Sequence, residues 1–244
     1  TISFTNNKIK VFPNIFDAQS VYVMASVNFS NNEISEFQGG ADFRGVNAGT
    51  LSLAGNKLKT FPKILFEKNS RITALLLSGN GMEEFPDGSL KGEYTWYLQT
   101  LDLTNNKLSK LPKELDATTT PYLYGIDMSY NRFSSFPTSP LNVDHLTAFG
   151  LSYQRNANGD RIMREWPTGI SKCPSLRYLL LGGNDLRKID DTISPNINIF
   201  EIKDNPNIVI DVSAVCAYIK AGYYMLIYDP SQDIRGCDAL NLDK

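Results

Sequence analysis

The chain has 244 residues, 42% of them hydrophobic and 20% charged, with a formal net charge of −2. Its longest unbroken apolar run, residues 223–228, is far too short to span a bilayer, and its lysines are scattered singly rather than gathered into a basic patch. A membrane-spanning helix and a nucleic-acid partner are therefore not expected.

One frame recurs from the first residues onward. Ile2-x-Phe4-x-x-Asn7-x-Ile9 opens in the middle of a unit, so residues upstream of Thr1 are expected. The asparagine returns as Asn32, Asn56, Asn80, Asn106, Asn131, Asn184 and Asn205, with Gln154 standing in once, at steps of 25, 24, 24, 26, 25, 23, 30 and 21 residues. The fullest copy is Leu98-x-x-Leu101-x-Leu103-x-x-Asn106-x-Leu108-x-x-Leu111-Pro112. Close copies start at Ile72, Leu123 and Leu176. The L-x-L core turns two apolar side chains one way and the residue between them the other, which is the period of a β-strand. A buried asparagine amide suits the point where a chain leaves a strand, because it can bond main-chain groups left unpaired there. Phe12-Pro13, Phe61-Pro62, Phe85-Pro86, Phe136-Pro137 and Trp166-Pro167 close their units with a core-filling ring and a stiff turn.

On these motifs the chain resembles the leucine-rich repeat family, over about residues 1–211. The resemblance implies an α/β solenoid, a horseshoe with a concave parallel β-sheet, an irregular or short-helical convex side and a small C-terminal cap. The expected division is an array of about nine coils over residues 1–210 and a cap over 211–244.

Within that frame the outward residues of successive strands are Ser3, Asn28, Ser52, Leu76, Asp102, Asp127, Gly150, Leu180 and Glu201. A second outward column runs Thr5, Ser30, Ala54, Ser78, Thr104, Ser129, Ser152, Gly182 and Lys203. Most of these are small and neutral. The character changes between the fifth and eighth coils, where Asp102 and Asp127 fall on adjacent strands with Tyr130, Tyr153 and Tyr178 nearby. These residues, with Arg155, make the candidate binding site. Rings beside carboxylates receive either a protein side chain or a sugar ring. The null alternative is a solvated sheet face with scattered tyrosines. The 30-residue step contains Asn158-Gly159 between Arg155 and Arg161, a turn signal that predicts a polar finger projecting from the coil.

The tail predicts a helix over residues 211–221 ended by Gly222, then a strand over 223–228. Cys173 stands at the entry to a repeat, whereas Cys216 and Cys237 both lie in the tail and are the candidate disulfide; two reduced buried thiols are the alternative. No metal site is expected, since no cysteine or histidine spacing suits one and two aspartates alone make a poor calcium site. The single histidine, His145, and the lack of P-loop, Gly-x-Ser-x-Gly or His-Glu-x-x-His motifs argue against an enzyme, and no cofactor is expected.

These features predict a non-enzymatic recognition module that binds a protein partner through its concave sheet. The alternatives are a glycan-binding or adhesive cell-surface protein and a structural spacer carrying upstream domains. The Phe-Pro punctuation and the two tail cysteines resemble secreted or surface-attached bacterial leucine-rich repeat proteins. An extracytoplasmic location (secreted, periplasmic or surface-anchored) is expected on that ground, with an intracellular one if the cysteines are reduced.

Overall fold

The apolar pairs of the repeat stack in register, and the stack is the protein. The computed structural model describes residues 1–90, 94–166, 169–170, 173–189, 193–236 and 238. The first strands are β1 (Ile2–Ser3), β2 (Val11–Phe12), β3 (Tyr22–Asn28), β4 (Glu36–Phe37), β5 (Val46–Ser52) and β6 (Arg71–Leu76). They are followed by β7 (Thr100–Asp102), β8 (Gly125–Asp127), β9 (Ala148–Gly150), β10 (Tyr178–Leu180), β11 (Ile199–Glu201), β12 (Val209–Asp211), β13 (Met225–Ile227) and β14 (Asp233–Arg235). A ten-stranded sheet takes β1, β3, β5 to β11 and β13 in the order in which the chain meets them. All its pairings are parallel. Parallel neighbours need a long return segment, which here is the irregular outer half of each coil.

Register follows the hydrophobic pattern. Val27, Leu51, Leu75, Leu101, Ile126, Phe149, Leu179 and Phe200 are successive partners across the sheet, and all of them are buried. The second apolar column, Leu53, Leu77, Leu103, Met128, Leu151, Leu181 and Ile202, is buried as well. Each such side chain stabilises the stack by roughly 1.5–3 kcal/mol through burial.

The asparagines hold the turn that follows. Asn56 Nδ2 donates to Leu53 O of its own coil (2.9 Å) and to Phe29 O of the coil before (3.0 Å), while its Oδ1 accepts from Ile34 N (2.9 Å). Asn80, Asn106, Asn131, Asn184 and Asn205 repeat this amide bridge between two coils. Gln154 does the same with a longer side chain, donating to Met128 O (3.0 Å) and accepting from Phe133 N (3.0 Å). Asn7 differs. It is exposed and bonds only carbonyls of its own coil, Phe4 O and Thr5 O.

On the convex side the closing rings stack between coils. Phe61 and Phe85 lie 3.9 Å apart and nearly parallel, and Trp166 meets Phe200 edge-on at 5.7 Å. Short 3-10 turns (Lys63–Phe66, Ser139–Asn142) and a two-residue strand pair, β2 with β4, lie among the described residues of this face.

The tail departs from its expected helix. Residues 209–211 are strand β12, paired with β14 through Asp211 and Arg235, which leaves a 3-10 turn (Ser213–Val215) and one short helix, α1 (Cys216–Lys220). Gly222 ends it with φ near 77°, where the Tyr223 amide donates to Tyr218 O (2.9 Å). The expected strand is Met225–Ile227, and it pairs with β11, so the large sheet continues past residue 210. Gln232 then serves as a further rung, donating to Ile202 O (2.8 Å) and Asn205 O (3.0 Å). The expected Cys216–Cys237 bridge ends at Cys237, which lies outside the described residues.

Candidate functional site

The expected outward column stands in register: Ser3, Asn28, Ser52, Leu76, Asp102, Asp127, Gly150, Leu180 and Glu201 are successive partners. Asp102 and Asp127 are therefore one strand spacing apart, about 4.8 Å. Each uses Oδ1 to close a local turn: Asp102 accepts from Thr104 N (2.9 Å) and Thr104 Oγ1 (2.8 Å), and Asp127 from Ser129 N (2.9 Å). Asn28 makes the same bond with Ser30 N (3.0 Å), so the turn needs the oxygen and not the charge. No ion pair engages either aspartate among the described residues.

One column escaped the sequence reading. The residue preceding each ladder position is left-handed in every coil: Asn6, Asn31, Gly55, Gly79, Asn105, Tyr130, Tyr153, Gly183 and Asp204, with φ between 54° and 69°. Glycine and asparagine take this conformation readily, whereas for a residue with a bulky side chain it costs roughly 1–2 kcal/mol. Tyr130 and Tyr153 accept it on adjacent coils. Their rings stack at 4.8 Å with a 4° interplanar angle, a spacing that matches the strand repeat. Behind the pair, Gly183 makes room: a Cβ there would lie 2.3 Å from the Tyr153 ring. In front of it, Asn105 turns its amide towards Gly79. Tyr130 is 54% exposed.

Two adjoining depressions open on this face. The larger, about 680 Å³, is lined by Thr104, Asn105, Asp127, Ser129, Tyr130, Ser152, Tyr153, Leu180, Glu201 and Lys203. The smaller, about 220 Å³, has a floor of Gly125, Ala148 and Gly150 between Asp102, Tyr124 and Tyr178. Asp127 and Leu180 border both, so the two make one trough. Glycines set its depth. The Asp127 carboxylate leans over Gly150, where a Cβ would lie 2.4 Å from its Oδ1, and the Glu201 carboxylate leans over Gly182. Lys203 pairs with Glu201 at 3.1 Å, and that bond raises the lysine pKa.

The trough thus gathers Asp102, Asp127, Tyr130, Tyr153 and Tyr178. Arg155 stands apart, with its guanidinium committed to the carbonyls of Gln154 (3.0 Å) and Gly183 while its carbon lies 5.6 Å from the Tyr153 ring centroid. Desolvation and the nearby Arg161 charge lower its pKa. Arg161 donates to Asn184 O (3.0 Å) and pairs with Asp204 (2.5 Å), so both arginines brace the finger against the next coils. Only the tip, residues 157–160, is exposed. Leu180 and Gly150 belong to the outward column expected from the sequence, whereas Tyr124, Gly125 and Ala148 carry no motif and become visible only through register.

Other chemistry is sparse. His145 is an exposed ring stacked on Tyr122 at 5.9 Å, and burial pushes the free Cys173 thiol up. Among the described residues no group of His, Cys, Asp and Glu has metal-holding geometry, and no helix is long and apolar enough to cross a membrane.

Known proteins match the same architecture. The family model described as Leucine Rich Repeat matches residues 97–117. The crystal structure of a leucine-rich repeat protein from Bacteroides thetaiotaomicron is 49% identical, covering 100% of this chain and 30% of that one with a TM-score of 0.92. A leucine-rich repeat protein from Bacteroides eggerthii is 51% identical, covering 98% of this chain and 41% of that one with a TM-score of 0.93. Human podocan-like protein 1 is 30% identical over 186 residues, which is 74% of this chain and 33% of that protein. The chain spans less than half the length of each of these relatives.

Proposed function

The chain belongs to the leucine-rich repeat family, and from that premise we propose that it is a non-enzymatic recognition module whose concave trough binds a protein partner. One observation carries the reading: two tyrosines hold a backbone conformation that the other coils give to Asn, Gly or Asp, and they do so at the lip of the trough. Strain of this kind persists where the surroundings enforce it, and it concentrates at binding sites. The setting suits a protein anchor, because exposed rigid aromatics beside a depression supply contact area with little loss of side-chain freedom. The trough is open and admits water, and no closed pocket holds the aspartates around a scissile bond, which disfavours a glycosidase role for them. In this reading residues 211–244 cap the array, and a Cys216–Cys237 bridge fits an extracytoplasmic location.

The test is to fill the trough. Gly125 has a Cβ direction that meets only the Ala148 Cβ at 3.7 Å and Ala148 O at 4.0 Å, so Gly125→Phe closes the floor without disturbing the stack. Wild type is expected to capture a protein partner that Gly125→Phe does not, measured by affinity capture and direct binding of the purified pair. A partner held equally by both forms docks elsewhere and overturns the concave assignment. A glycan-array signal abolished by Tyr130→Ala and Tyr153→Ala would favour the sugar-binding reading, and silence in both assays the spacer.

A further inference from the structure

We infer that the Tyr130 end of the trough is built to seat an arginine side chain of the partner, an inference that rests on the protein-binding reading above. Tyr130 is 54% exposed and lines the trough with Asn105 of the preceding coil, while Tyr153 of the following coil stacks on one of its faces at 4.8 Å. Asp102 and Asp127, on the fifth and sixth strands of the same register, each keep one carboxylate oxygen free of hydrogen bonds and have no ionic partner among the described residues. The nearby cations are engaged on the far side of the tyrosine pair: Arg155 on main-chain carbonyls, Arg161 on Asp204 and Lys203 on Glu201. Charge is therefore divided along the trough, with two carboxylates that have no ionic partner among the described residues, Asp102 on the strand before that of Tyr130's coil and Asp127 leaning over Gly150.

A guanidinium answers both features. It is planar, so it lies flat on an aromatic face; it is always charged; and its several N–H donors can reach more than one carboxylate oxygen. A lysine ammonium is a point charge and loses the flat contact. An anionic or purely apolar group would leave both aspartates uncompensated.

The chain itself supplies controls. Asn28 closes in its own coil the turn that Asp102 and Asp127 close in theirs, so Asp→Asn at either position keeps the turn and removes the charge. Asn105 holds the left-handed conformation one coil away, so Tyr130→Asn keeps the backbone and removes the ring. A displayed random peptide library is panned on wild-type chain, and the captured peptides are measured against the variants by fluorescence anisotropy. We expect those peptides to share an arginine, to weaken about tenfold or more when citrulline replaces it, and to weaken comparably on Asp127→Asn or Tyr130→Asn, with thermal melting unchanged. Captured peptides without a common arginine, or bound equally by these variants, overturn the inference and leave protein recognition standing. Capture of no peptide by wild type overturns the recognition reading and the inference with it.

Discussion

The first four coils and the coils that follow share one core and differ on one face. In the N-terminal part the strands after the two-residue β1 are long, with seven residues in β3 and β5 and six in β6, and the left-handed column is Asn, Asn, Gly, Gly. From the fifth coil onward each strand of the large sheet has three residues, the floor drops to Gly125 and Gly150, and the left-handed column admits Tyr130 and Tyr153. From the second coil onward the buried apolar pairs and the amide ladder run through both parts, with Gln154 replacing asparagine once. Architecture is thus carried by positions that repeat, and any selective surface by positions that depart from the repeat. Conservation of the frame frees the outward columns to vary without loss of the stack.

Substitutions at the inward columns should not distinguish the two parts. Leu53→Asp and Leu103→Asp each place an unpaired carboxylate in a fully buried site, and both are expected to destabilise by about 3–5 kcal/mol in chemical denaturation. A mild effect at either would mean that the inward assignment is wrong there. The ladder gives a graded comparison. Asn106→Ala strands the amides of Asn80 and Met82, while the carbonyls of Leu77 and Leu103 keep the side chains of Asn80 and Asn131 as donors, so a loss of about 2–4 kcal/mol is expected. Asn7→Ala, at the exposed first position, should change stability by less than about 0.5 kcal/mol.

Gly183→Ala sharpens the contrast between a crowded left-handed position and an open one. Its Cβ would meet the Tyr153 ring at 2.3 Å, whereas Gly88, also at positive φ, has nothing within 4 Å of its Cβ direction. A loss of about 2–3 kcal/mol is expected at Gly183 and about 1 kcal/mol at Gly88, read from melting curves. Tyr130→Asn should be nearly neutral, within about 1 kcal/mol, because relief of the left-handed strain offsets the lost ring stacking. The smallest effect belongs to the rungs between exposed charges. A hydrogen bond from Lys57 holds the Glu33 carboxyl below its usual range, and Lys107 does the same for Glu83. A lowered folded-state pKa stabilises the protein above the ordinary carboxylate value, and that contribution is lost as pH falls through the lowered value. Lys57→Met should therefore flatten the acid side of the stability profile slightly; an unchanged profile would show that the pair contributes nothing.

Most of the fold was legible because the hydrophobic period and the register are the same fact: once Leu101 and Leu103 point inward, Asp102 must point out, and its partner must be Asp127. The column before the ladder was equally regular in sequence, Asn or Gly in six coils and Asp in one, but a tyrosine in a left-handed site runs against its own propensity and was not read from pattern. Arg155 stands apart from the other candidates for another reason. A guanidinium beside a turn has carbonyls within reach, and charge alone does not reveal that they claim it. The tail was overread as helix because residues 211–221 suit one locally, whereas pairing of Asp211 with Arg235 draws the first of them into a strand.

The bridging amides have an evolutionary corollary. Because Asn56, Asn80 and their equivalents each fasten one coil to its predecessor, a deletion of part of a coil severs a fastening, while loss or duplication of a whole period restores every link. The array can lengthen or shorten by entire units at either flank of the tyrosine pair, and the pocket at their feet would be handed on intact.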